Sequence, residues 1–227
     1  MTDALSIDDF YYTRKQREQY ARTVHPLLLT RGVPGTHDVD LLIETIEDLK
    51  NEATTTAIPR FDKATDDRMP EDLWDSFAGS PGIIILEGWC IGAQPQEETE
   101  LAKPVNALEA NEDSDGAWRR YVNQALGGKY QALFAMIDVW VMLQAPSFDC
   151  VYRWRLEQED KLRRSVAGKG NAASAGNRVM SEHEISRFIQ HYQRITENIL
   201  ETLPSRVDYL YQLDSRRDII EFHRRRR

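Results

Sequence analysis

The chain has 227 residues, 41% hydrophobic and 29% charged, which suits one soluble domain or one with a small appendage. A net charge of −8 argues against a general nucleic-acid surface, and no apolar run is long enough for a membrane-spanning helix. The start, MTDALSIDDF, has neither a basic nor an apolar leader region, and Cys90 and Cys150 form no CxxC, so a reduced cytoplasmic protein without structural zinc is expected.

Ala4-Leu5-Ser6-Ile7 is a candidate strand, followed by Asp8-Asp9-Phe10-Tyr11, where either acid could cap the next helix. Segment 14–23 is polar and helical in composition. Arg31-Gly32-Val33-Pro34-Gly35-Thr36-His37-Asp38 is dense in turn residues, and Asp38 can cap a helix to about Glu52 with Leu42, Ile46 and Leu49 on one face. Residues 58–68 form a charged loop, where two arginines among the acids point to a held network; a solvated loop would look similar. Glu71 to Phe77 reads as a short helix.

Ile83-Ile84-Ile85-Leu86-Glu87-Gly88-Trp89 follows the turn signal Ser80-Pro81-Gly82. Four apolar residues, three of them β-branched, read as a strand buried on both faces within a parallel sheet. Ligands of open α/β sheets sit beyond the carboxyl ends of the strands, which is where Glu87 falls. An ordinary strand-end acid in solvent is the competing reading.

Residues 93–115 are rich in Gln, Glu, Asp and Pro and read as an irregular surface excursion. Residues 116–136 are helical and aromatic; Val139 to Leu143 is a second buried-strand candidate, stopped by Ala145-Pro146. Phe148 to Arg164 reads as a helix dense in both charges, and 165–180 as a flexible Gly, Ala, Ser and Asn loop. Ser181-x-x-Glu184 is a capping box opening a long amphipathic helix ended by Pro204. His183 and His191 on that helix read as surface or core residues rather than metal ligands. Val207 to Leu213 is a last strand candidate, and His223 to Arg227 a solvated basic tail. This order of strands and helices predicts a parallel α/β sheet flanked by helices.

Six stretches in order resemble D-glycerate 3-kinases: Ser6 to Tyr11, Arg31 to Asp38, Pro59-Arg60-Phe61-Asp62-Lys63, Leu86 to Trp89, Trp154 to Glu159, and His191-Tyr192. These kinases belong to the wider P-loop group of phosphoribulokinases, uridine kinases and pantothenate kinases. The resemblance implies a single kinase-like domain over 1–227, a sheet of order 2-3-1-4-5, and ATP- and Mg²⁺-dependent phosphorylation of a small hydroxy acid. Carried over, Asp8 matches the acid that accepts the substrate hydroxyl proton. Glu87 matches the acid near Mg²⁺, bound directly or through water. His37, Asp38, Arg60 and Asp62 fall in substrate-side loops. Arg153, Arg155, Arg163 and Arg164 fall on a lid region spanning about 148–180, where guanidinium groups would offset charge on the transferred phosphoryl.

One departure is large. Such kinases open with a strand, G-x-x-x-x-G-K-[ST] and a helix, whereas Met1 stands five residues before Ser6 and no such string occurs in the chain. Gly168-Lys169-Gly170 is a decoy, since neither Ser nor Thr follows its GK and no strand precedes it. The chain is therefore expected to be N-terminally shortened, to lack the central strand and phosphate loop, and to be inactive as it stands. Its unpaired strand edges would favour self-association. The alternative is a non-catalytic kinase-like protein that binds a small ligand or partner.

Overall fold

The computed structural model describes residues 2–51, 55–168 and 180–225, apart from the side chains of Thr2, Asp3 and 162–168. In chain order the elements begin with β1 (Thr2–Ser6), α1 (Arg14–Thr23), α2 (Val39–Leu49), β2 (Thr55–Ile58), β3 (Phe61–Asp62), β4 (Asp67–Arg68), β5 (Asp75–Ala78) and β6 (Ile83–Glu87). They continue with α3 (Glu98–Leu101), α4 (Ala107–Glu112), α5 (Ala117–Ala125), α6 (Gln131–Phe134), β7 (Val141–Gln144), α7 (Phe148–Gly168), α8 (Glu182–Thr202), β8 (Tyr209–Leu213) and β9 (Ile219–Arg224). The fold is mixed α/β, with parallel strand pairs and flanking helices.

The chain forms two compact units, one of residues 1–91, 95–103 and 112–136, the other of 92–94, 104–111 and 137–227. In the first, β1 lies parallel to β6, with Ser6 opposite Glu87. β2 pairs antiparallel with β5, and β3 with β4. Leu5, Ile7, Phe10, Leu28, Leu42, Leu49, Leu126 and Leu133 are buried in its core. The cap of α2 is the expected one, since Asp38 Oδ1 accepts from Leu41 N at 3.3 Å. The cap of α1 is Thr13, which forms a capping box with Gln16, so neither Asp8 nor Asp9 caps that helix.

Arg17 ties this unit together. Its guanidinium is buried and donates to the carbonyls of Leu29 (2.7 Å), Asp66 (2.6 Å) and Tyr12 (3.2 Å). Its three nitrogens each meet a backbone carbonyl, two of them on segments 12 and 49 residues away, which offsets the cost of burying the charge.

In the second unit β8 is the middle strand, parallel to β7 and antiparallel to β9. Ser181 and Glu184 form the expected capping box of α8. Ile185, Ile189, Ile195 and Ile199 on α8 turn inward. Glu109 of α4 receives two hydrogen bonds from Arg194 of α8, at 2.8 and 2.7 Å, and both side chains are buried.

Several expectations need correction. The run 83–86 is not buried on both faces: Ile83 is 61% exposed and Ile85 50%. The same holds at 139–143, where Val141 is 58% exposed and Leu143 65%, though Met142 is buried. Among the described residues β6 hydrogen-bonds only to β1 and β7 only to β8, so neither has a strand on its other edge. Residues 71–77 are a single helical turn, Glu71–Leu73, leading into β5, whose pairing with β2 fixes the backbone as strand. Residues 93–115 contain α3 and α4, anchored by the buried Leu101, Leu108, Glu109 and Asp113. The basic C-terminal residues His223 and Arg224 are exposed as expected but belong to β9, and Arg226 and Arg227 lie outside the described residues. The flexible loop expected at 165–180 lies outside the described residues over 169–179; its first residues continue α7.

Candidate active site

The candidate site lies where β1 and β6 end side by side. Ser6 sits opposite Glu87, and the chain then turns through one 3-10 helical segment, Ile7–Phe10, that carries Asp8. Gly88 makes this junction possible, because a Cβ there would come 2.3 Å from Ile7 Cγ2. The loop 31–38 is joined to the same turn: Asp38 N donates to Phe10 O at 2.7 Å and Tyr12 N to Thr36 O at 2.9 Å. Gly35 adopts φ +90° there and leaves room for the Tyr121 ring.

Asp8 accepts from Tyr11 Oη and Lys63 Nζ, each at 2.7 Å. Burial alone would push its carboxyl up, but the hydrogen bonds and charge of Lys63, with the Tyr11 hydroxyl, outweigh it and hold Asp8 below its ordinary value. Asp8 is therefore ionised at neutral pH, as a proton acceptor must be. Glu87 is exposed at the end of β6, so its carboxylate is open to a cation or a substrate.

The other loop residues hold one another. Arg60 donates to Asp9 (2.8 Å) and Asp75 (2.7 Å). Arg68 reaches Asp38 (3.1 Å) and Tyr11 O (2.9 Å), and Asp66 pairs with Arg17 and Arg31. Asp62 accepts from Ala64 N (2.8 Å) and Thr65 Oγ1 (2.9 Å), closing its own turn. The held network expected between 58 and 68 is present.

His37 is buried beneath Tyr11, the two rings stacked 4.6 Å apart. Its Nδ1 lies 2.6 Å from Tyr130 Oη, which also accepts from Gly35 N at 3.1 Å. Since Gly35 fills one Tyr130 lone pair, we assign the Tyr130 hydroxyl as donor to Nδ1 and place the imidazole proton on Nε2. Nε2 is buried and makes no hydrogen bond. Burial lowers the His37 pKa to about 3, against a smaller opposing effect of the Asp8 charge. Burial likewise pushes the nearby Cys90 thiol up to about 12.

His37 supplies a pH prediction. Its folded pKa lies below its ordinary value of 6.5, so between about 3 and 6.5 the unfolded chain binds the extra proton. Stability should therefore fall as pH drops from 6.5 toward 3, by up to about 1.4 kcal/mol per pH unit from this group. Urea unfolding across that range should show a shallower slope for His37→Gln; equal slopes would remove His37 as the cause.

The four arginines expected on a lid lie on α7, in the second unit. Arg153 is exposed. Arg155 pairs with Glu159 (3.1 Å) and Gln158 (2.6 Å) on its own helix and stacks on Phe188. The side chains of Arg163 and Arg164 lie outside the described residues.

Sequence reasoning missed Lys63, Tyr11 and Tyr130 as partners of the site. Tyr11 was within reach, three residues after Asp8 in one helical turn. Tyr130 lies 93 residues from His37, and no local pattern signals that pairing.

The uncharacterized kinase mug58 of Schizosaccharomyces pombe is 31% identical to this chain over 210 residues, covering 89% of the chain and 71% of that protein. The chain belongs to the D-glycerate 3-kinase family and its related kinases. The chloroplastic D-glycerate 3-kinase of Arabidopsis thaliana is 30% identical over 209 residues, and the chain spans only 41% of its length. The D-glycerate 3-kinase of Cryptococcus neoformans shares the fold, with a TM-score of 0.77 and 22% identity over 99% of this chain and 80% of that one. No family model matches the chain. Within this kinase family the chain is classed with transferases. Among the described residues no helix is long and apolar enough to cross a membrane.

Proposed function

We propose that this chain carries the acceptor side of a small-molecule kinase site, and that the acceptor is D-glycerate or a similar hydroxy acid. The observation that carries this reading is Asp8: an ionised, half-buried carboxylate on the turn that follows β1, whose last residue, Ser6, lies opposite Glu87. As the substrate oxygen bonds to the γ-phosphorus of ATP and the bond to the departing ADP oxygen breaks, the substrate hydroxyl proton passes to Asp8, which keeps the oxygen nucleophilic. His37, Asp38, Arg60 and Asp62 act here by fixing the loops that frame Asp8. The lid arginines, Arg153, Arg155, Arg163 and Arg164, are the candidates for phosphate contact.

The residues present do not fit a nucleotide by themselves. ATP phosphates need a cradle of backbone N–H groups and a Lys, and the sequence holds no G-x-x-x-x-G-K-[ST]. Mg²⁺ normally takes one or two carboxylates and completes its shell with water and phosphates, a demand Glu87 could meet directly or through water. Bound, the ion would neutralise phosphate charge. The residues given are therefore proposed to be catalytically silent by themselves, and a non-catalytic kinase-like protein that binds a small ligand or partner is the alternative.

The test is phosphoryl transfer by a chain extended N-terminally with a strand, a G-x-x-x-x-G-K-[ST] loop and a helix, against hydroxy acids, polyols and nucleosides. Hydroxy acids should be phosphorylated first. Transfer to nucleosides alone, or to nothing while ATP is bound, would remove the reading.

The chain is also proposed to self-associate through the open edge of β6, where Ile83 and Ile85 meet solvent. Ile85→Lys should then raise the monomer fraction in sedimentation velocity at equal concentration. An unchanged distribution would assign the association elsewhere.

A further inference from the structure

We infer that Lys63 is the carboxylate-recognising residue of the acceptor site, moving from Asp8 to the acid group of the substrate as the substrate binds. This rests on the hydroxy-acid reading above and adds to it the residue that selects an acid over a polyol.

The cations around Asp8 differ in how they are held. Arg17 is spent on three carbonyls and Asp66. Arg31 pairs with Asp66 and covers the Phe61 ring. Arg60 bridges Asp9 and Asp75, and Arg68 bridges Asp38 and the Tyr11 carbonyl. Withdrawing any of these guanidinium groups would leave acids or carbonyls of the frame without their donors. Lys63 is different: its hydrogen bond is to Asp8 Oδ2, at 2.7 Å, and its side chain is 59% exposed. An exposed ion pair of this kind contributes only about 0–1 kcal/mol, so Lys63 can leave it at little cost.

The chemistry of the substrate class matches that position. A small hydroxy acid carries its hydroxyl one or two carbons from its carboxylate. With the hydroxyl on Asp8, the carboxylate falls within the sweep of a flexible lysine already in contact with Asp8. A polyol or nucleoside offers no such anion and leaves Lys63 where it is.

The exchange also acts on the base. The groups facing Asp8 are Lys63 from the turn after β3, Tyr11 from its own turn, His37 from the loop before α2, and Cys90 from the segment after β6. His37 and Cys90 are neutral near pH 7, so Lys63 is the charged partner of the four. When Lys63 turns to the substrate, Asp8 loses the hydrogen bond that lowers its proton affinity and becomes a stronger base. An acid substrate would thus both select itself and raise the basicity that its own hydroxyl needs.

The experiment titrates the 227-residue chain and its Lys63→Met and Lys63→Arg variants calorimetrically with D-glycerate and with glycerol, and follows the Asp8 carboxyl by carbon NMR. Loss of one charge-assisted hydrogen bond should weaken D-glycerate binding by roughly tenfold or more in Lys63→Met. Lys63→Arg should recover most of it, and glycerol should bind the three proteins alike. In the wild-type chain the Asp8 pKa should rise on adding D-glycerate and stay put with glycerol. Equal D-glycerate affinity in Lys63→Met, or an Asp8 pKa unmoved by saturating D-glycerate, would overturn the role of Lys63 alone. Failure of the wild-type chain to bind any hydroxy acid would overturn the hydroxy-acid reading and this inference with it.

Discussion

Asp8→Asn should lower kcat by about 10²- to 10⁴-fold in a form of the chain supplied with a phosphate loop, the usual range for a general acid–base group. The amide is nearly the same size, and its carbonyl oxygen can keep the Lys63 bond while its NH2 donates to the Tyr11 hydroxyl, so the turn that carries it should survive. What it cannot do is take the proton of the attacking hydroxyl. ATP affinity should hardly change, since Asp8 belongs to the acceptor side. The check is steady-state kinetics with nucleotide affinity measured in parallel. Near-normal turnover would reduce Asp8 to a structural partner of Lys63 and Tyr11.

Glu109→Ala should destabilise the second unit by about 3–5 kcal/mol. Glu109 Oε1 and Oε2 receive Arg194 at 2.8 and 2.7 Å, and Oε2 also accepts from Val105 N at 3.0 Å. Removing the carboxylate takes both of these charge-assisted bonds from a buried guanidinium. The hydrogen bonds of Asn106 to Gln190 and Gln193 join the same segments and would not supply charge. Denaturant unfolding of the double variant Glu109→Ala with Arg194→Leu separates the terms. It should recover much of the loss, because the buried charge goes with the arginine. A single variant within about 0.5 kcal/mol of the wild type would mean that the pair is solvated.

Local signals carried the helices well. Asp38 as a cap, the Ser181 box and the apolar face of α8 are short-range patterns, and the structure bears each out. The strands at β1, β6, β7 and β8 were legible from apolar runs, and their parallel pairing from the helices between them. Burial was not legible to the same degree. A run such as Ile83-Ile84-Ile85-Leu86 says that both faces could be covered, while exposure depends on which neighbours are in place. β5 and β9 escaped notice because their sequences, Asp75-Ser76-Phe77-Ala78 and Ile219-Ile220-Glu221-Phe222-His223-Arg224, lack a clean alternation. Their strand character comes from partners: β2 for β5, and β8 for β9.

The site divides in the same way. Asp8 and Glu87 could be assigned to one end of the sheet because Glu87 ends β6, Asp8 follows the end of β1, and those strands pair in register. His37 was marked for the substrate, whereas its burial under Tyr11 and its bond to Tyr130 give it a part in holding the loop. Arg60 likewise looked free for a ligand in sequence, and only the fold brings Asp9 and Asp75 to it. Competition between acids for a cation is a property of three-dimensional neighbours, and spacing along the chain does not encode it.

The central proposal is that these 227 residues hold the acceptor side of a kinase site and do not themselves supply the phosphate cradle for the nucleotide. Calorimetric titration of the 227-residue chain with Mg·ATP tests it most directly. The account predicts no saturable binding in the micromolar range, because neither the backbone cradle nor its lysine is encoded in the sequence. A micromolar dissociation constant would contradict it and would require a phosphate site built from other residues.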